Sequence, residues 1–246
     1  RLLRRRRQLR RRRRIGGLVM ARTIQLSAED HRRISDAVSN AERHSDGEIV
    51  TIVSDLSDHY QDISSRWAAA MALLFLIALP IAPGFWRGAM ELVSSGWSQD
   101  YSPAALLTAI AATAVFLYFV ATLMLENMNL RLFLTPPNVK EDRVRARAVQ
   151  LFRVGTESRT DGRTGILLYL STMEHRAEIV ADSAIADKVE PARWAEAMAA
   201  LIDQVKEDRP AEGMIAAVEQ VGAILAEHFP KSEGNPNELP DRLIEL

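Results

Sequence analysis

The chain contains no cysteine, which excludes disulfides, thiol nucleophiles and Cys-ligated zinc. Lysine is scarce as well, limited to Lys140, Lys188, Lys206 and Lys231. Strong catalytic signatures are missing: there is no glycine-rich phosphate loop, no GxSxG elbow, no HExxH and no kinase set. The five histidines, His31, His44, His59, His175 and His228, are scattered, and no two stand at metal-ligand spacing. No catalytic residue is therefore assigned. His175 reads as a solvated turn residue. His228, near a helix C-terminus, suits the negative end of the helix dipole.

Charge is present but unevenly placed. Residues 1–19 hold ten Arg and no acid, and subtracting those ten from the overall −1 leaves −11 for the rest. A run this basic can attract nucleic acid or anionic lipid. Position 1 is not Met, however, and MARTIQLSAED from Met20 reads as an ordinary start. Residues 1–19 are therefore expected to be an over-extended, non-native leader; no apolar stretch follows them, so they are not a signal peptide. The acidic remainder would repel phosphate, so no nucleic-acid partner is expected.

Two stretches carry no charge: Trp67 to Trp86 and Pro103 to Leu125. About 20 helical residues cross a hydrocarbon core about 30 Å thick, so each can span a bilayer. Trp67, Phe85, Trp86 and Trp97 lie where an aromatic belt would sit, and Pro80 and Pro83 can kink or end the first helix. The outer flanks are richer in Arg than the loop between the spans. Arg66 precedes the first, and Arg131, Lys140, Arg143, Arg145 and Arg147 follow the second. The sequence thus predicts a two-pass protein of the inner membrane with both termini cytoplasmic.

The remaining chain alternates helix and strand signals. Ser27 caps a helix with Glu29 and Asp30 in its first turn and Ile34, Val38 and Ala41 on one face, ending near His44. Gly47 to Asp55 (GEIVTIVSD) reads as a strand. Pro136-Pro137 breaks the chain, and Val144, Ala148, Leu151 and Phe152 mark a second amphipathic helix. Ile166 to Ser171 (ILLYLS) is apolar enough for a strand covered on both faces, and Ala177 to Asp182 returns as its hairpin partner. Two helices follow Pro191 and Pro210, with Trp194 a core residue of the first. The polar tail, 231–246, is expected to be flexible. Because a lone strand is not stable, the first strand must pair with the later ones. The apolar hairpin, 67–125, is then an insertion that splits one domain into 20–66 and 126–230.

This order of elements resembles the TPM-domain family, carried by GEIVTIVSD, by Gly162 to Ile185 (GRTGILLYLSTMEHRAEIVADSAI) and by Glu212 to Pro230 (EGMIAAVEQVGAILAEHFP). The resemblance implies an α/β fold, a TPM-like helix–sheet sandwich interrupted here by the two-helix hairpin. It also implies a bacterial membrane-anchored protein, divalent-cation binding in some members, and acid phosphatase activity in some plant relatives.

The candidate chemistry lies in carboxylates. If the first strand runs parallel to Ile166–Ser171, then Glu48, Asp161 and Asp182 share one rim of the sheet and could bind Ca²⁺ or Mg²⁺ through oxygen. The competing reading is a set of solvated strand-end acids, with Asp182-Ser183 capping the next helix. Two functions are carried forward. The first is a binding or scaffold module in membrane-protein assembly or turnover, with the bilayer and other membrane proteins as partners. The second is a divalent-cation-dependent phosphatase.

Overall fold

The computed structural model describes residues 26–81, 83, 84, 86, 88, 102–155, 164–232 and 239–246. The chain forms two compact units. One comprises the chain up to His59 together with Pro136–Leu246; the other is Tyr60–Thr135.

In the first unit the cap predicted at Ser27 is present. Its Oγ accepts from the Asp30 N–H at 3.1 Å, and Asp30 Oδ2 accepts from the Ser27 N–H at 3.0 Å, a reciprocal capping box. Helix α1 runs Ala28–Glu42 and buries Ile34 and Val38. Strand β1, Glu48–Ser54, pairs in parallel with the later strand β2, Gly165–Ser171, from Glu48↔Gly165 to Ser54↔Ser171. Strand β3, Arg176–Ala181, pairs antiparallel with β2 through a short turn in which His175 takes a positive φ of 50°. Parallel strands need a crossover connection, and here it contains the whole second unit.

Every residue of β1 and β2 is buried because helices cover both faces. The period of two divides the strands cleanly. Ile49, Val53, Ile166, Leu168 and Leu170 pack with Ile34 and Val38 and with helices Pro191–Lys206 and Pro210–His228. Val50, Ile52, Leu167 and Tyr169 face the opposite way, onto Val144, Ala148 and Phe152 of the helix Pro137–Gly155. The result is a three-layer α/β sandwich. At Gly222 a Cβ would lie 2.6 Å from the Ala41 Cβ, so the closing helix can approach α1 only because that residue is glycine.

The tail differs from expectation. Residues 239–246 are built into the fold: Ile244–Glu245 forms a fourth strand beside β1, giving the order β3-β2-β1-β4. Leu239 and Leu243 are buried, the Leu246 N–H donates to the Val53 carbonyl, and His31 meets Glu245 at 3.2 Å. The polar composition of 231–238 hid two apolar anchors beyond it.

In the second unit, helix α2 is Gln61–Ile81 and helix α3 is Pro103–Met124, capped by the Ser102 Oγ. They pack against each other. Helix α4, Met128–Leu134, was not anticipated; it is short, and its residues merge with the apolar run before it. In chain order the later helices are α5 (Pro137–Gly155), α6 (Ser183–Ala186), α7 (Pro191–Lys206) and α8 (Pro210–His228). Counting α4 with the inserted unit moves its end from the expected Leu125 to Thr135.

Candidate functional site

The start of β1, the start of β2 and the end of β3 meet at one rim of the sheet. Glu48 is the register partner of Gly165. The Gly165 N–H donates to Asp182 Oδ2 at 3.0 Å, and the Asp182 N–H donates back to the Gly165 carbonyl at 3.0 Å. Glu48 and Asp182 therefore flank one residue, and both are buried. Asp161 lies outside the described residues. Asp182 stands at the N-cap of α6, as the capping alternative had it, but makes no side-chain cap bond; its Oδ2 accepts from the Gly165 N–H instead. Glu48 Oε2 accepts from the Leu239 N–H at 3.2 Å. That bond fastens the tail to the rim. Among the described residues no group of three or more His, Asp or Glu side chains is placed to hold a metal ion.

A carboxylate that the sequence reading passed over sits beside them. Glu42, the last residue of α1, is 94% buried, and its Oε1 accepts from the Ile49 N–H at 2.7 Å. Its Oε2 is buried with no donor in reach. Burial, and then the negative charges of Glu48 and Asp241, push its carboxyl up to about 8 against the opposing pull of the Ile49 N–H. An ionised Oε2 would be an orphaned acceptor among acids; a protonated one is a donor facing acceptors. Burial among acids thus favours the neutral, protonated form of Glu42. No local pattern announces it, since the helix end, the β1 start and Asp241 are joined only by the fold.

The opposite end of the sheet, where the parallel strands finish, is also polar. Ser57 Oγ donates to Glu174 Oε2 at 2.5 Å and lies 3.0 Å from the Tyr169 hydroxyl, while the Ser57 N–H reaches the same Glu174 oxygen at 3.1 Å. Burial raises the Tyr169 phenol above its usual range. Arg143 donates to Asp58 Oδ2 at 2.6 Å. Carboxyl ends of strands are the usual ligand edge of open α/β sheets. Here, though, the hydroxyls and carboxylates satisfy one another and tie the loop after β1 to the turn after β2. The arrangement reads as a lock on the chain.

These features define an α/β sheet domain, closed at one rim by buried carboxylates, with an apolar helical hairpin inserted after its first strand. Residues 125–224 match the TPM domain family model. The match runs from just after α3 through most of α8 and leaves α1 and β1 outside it. No curated protein matches the chain. Among solved structures, the NMR structure of BA42 protein from the psychrophilic bacterium Bizionia argentinensis matches with a TM-score of 0.51. Sequence identity is 17%, and the match covers 90% of this chain and 95% of that one, which supports the fold alone.

Proposed function

We propose that this is a bacterial membrane-anchored TPM-like protein. Its α2–α3 hairpin spans the inner membrane, and its α/β domain faces the cytoplasm as a binding or scaffold module in the assembly or turnover of membrane proteins. The observation that carries the anchor is the outward face of the hairpin. Leu74 (63%), Ile81 (76%), Leu107 (66%), Phe116 (65%) and neighbouring apolar side chains are exposed along two helices with mean hydropathies of 1.6 and 2.2. In water this would be an apolar patch far larger than a monomer ordinarily shows, whereas lipid is its natural solvent. Sodium carbonate washing of membranes holding the full chain should leave it in the pellet. Release into the supernatant would remove the basis for an anchor.

A second reading, a divalent-cation-dependent phosphatase, is supported by the name of the matched TPM domain model, which carries the word phosphatase, and by the gathering of Glu48 and Asp182 at one rim. In this reading Glu48, Asp161 and Asp182 hold Ca²⁺ or Mg²⁺. A cation that binds only the folded state stabilises it by about 2.7 kcal/mol at a hundredfold excess over Kd. Millimolar Ca²⁺ or Mg²⁺ should then raise the melting temperature, and Asp161→Asn with Asp182→Asn should abolish the rise. A wild type without a shift, or a double variant that keeps it, leaves the scaffold reading alone.

A further inference from the structure

We propose that α4 is an interfacial helix, seated in the headgroup region of the bilayer that the hairpin spans, with Phe133 as its lipid anchor. This rests on the spanning role of α2 and α3. Phe133 is 82% exposed, more than any other large apolar side chain among the described residues. At the end of α3, Leu123 and Met124 are exposed as well. The occupant is lipid because Phe133, like Leu123 and Met124, is an exposed apolar side chain within ten residues of a span whose outward face is itself apolar.

Two bonds tie α4 to the hairpin, and a third closes its own last turn. Arg131 Nε donates to the Leu125 carbonyl at 2.9 Å, placing a cation at the C-terminus of α3, where carbonyls are left over and the dipole is negative. The Thr135 Oγ1 donates to the Arg131 carbonyl at 2.8 Å. The Trp67 indole N–H donates to the Leu134 carbonyl at 3.3 Å and links α4 to α2. The first turn is closed by Asn127 Oδ1, which accepts from the Asn129 and Leu130 N–H groups. These backbone groups are thus satisfied inside the protein, as residence beside lipid requires. The one strong charge on the helix is engaged, since Arg131 is buried while Phe133, two residues on, projects outward. A short helix with polar bonds turned inward and an aromatic ring turned outward is suited to lie in the interface plane, about 5–10 Å into the headgroup–acyl boundary. There it would set the depth of the hairpin and resist sliding of α3.

The absence of native cysteine allows a direct test on the full chain. Single nitroxide labels at Val115→Cys, in the middle of α3, and at Leu130→Cys, on the Phe133 side of α4, are placed in phosphatidylcholine–phosphatidylglycerol vesicles. Their depth is read from collisions with oxygen and with a water-soluble nickel complex. The expected result is a deep label at 115 and a shallow but membrane-embedded label at 130, the latter moving out toward water when Phe133→Ser is added. A deep label at 115 with an aqueous label at 130 overturns the interfacial role and leaves the span intact. An aqueous label at 115 overturns the span and the inference together. A label at 130 that is embedded equally with and without Phe133 overturns the assignment of the anchor.

Discussion

Replacing Tyr60–Thr135 with a short Gly/Ser linker is expected to leave a soluble, cooperatively folding domain without the two apolar helices. Both sides of the excised segment contribute to one sheet: β1 comes before it and β2, β3 and β4 come after. The seven-residue ladder between β1 and β2, and the two core faces built on it, contain no residue of the excised unit. Loop closure grows only slowly with length, about 0.6 kcal/mol per doubling, so a shorter connection is tolerated if it can span the gap. Circular dichroism with thermal melting of the soluble fraction checks this. The expected product melts in one sharp transition. An insoluble or unfolded product, obtained with several linker lengths, would mean that the domain needs its hairpin to fold.

Glu42 is expected to make the protein markedly less stable as pH rises through neutrality. Its unfolded value is 4.5 and its folded value is about 8. Below about pH 4 both states carry the proton, and the group contributes no pH dependence. Between the two values the folded state keeps a proton that the unfolded state releases, so stability falls with rising pH. Above about pH 8 both states are ionised and the full cost of a buried charge is present, on the order of a few kcal/mol at about 1.4 kcal/mol per pKa unit. Glu42→Gln keeps an oxygen for the Ile49 N–H and supplies an amide donor toward the neighbouring acids. In buffer with a chelator, the melting temperature of the wild type should drop between pH 5 and pH 9, while the variant stays nearly level over the same range and exceeds the wild type at pH 9. Parallel profiles would show that Glu42 is ionised throughout.

The parts of this fold that were legible in the sequence are those determined by local pattern. Ser27 and Asp30 announce a helix start three residues apart; ILLYLS announces a strand covered on both faces; two charge-free runs announce the hairpin. That β1 must pair across the insertion followed from counting strands. What escaped was set by contacts distant in sequence. Strand β4 is two residues long and exists because β1 offers a free edge. Glu42 looks like an ordinary helix-end acid until the Ile49 N–H and Asp241 are seen beside it. Ser57 and Glu174 are 117 residues apart and neither carries a motif. At the rim, the strand ends placed Glu48 and Asp182 together as the parallel pairing implies, but only the structure shows Asp182 turned to Gly165, away from a capping role.

In the proposed topology the hairpin crosses the membrane twice and returns the chain to the same side, where one sheet is completed. The cysteine-free sequence permits its most direct measurement: labelling of single introduced cysteines in intact cells with a membrane-impermeant maleimide. Cysteines at Ser39, before the hairpin, and at Ser232, after it, should react only once the inner membrane is opened, whereas one at Ser95, between the spans, should react from outside. Labelling of Ser39 and Ser232 from opposite sides of the membrane, or a Ser95 that shares their side, would contradict it.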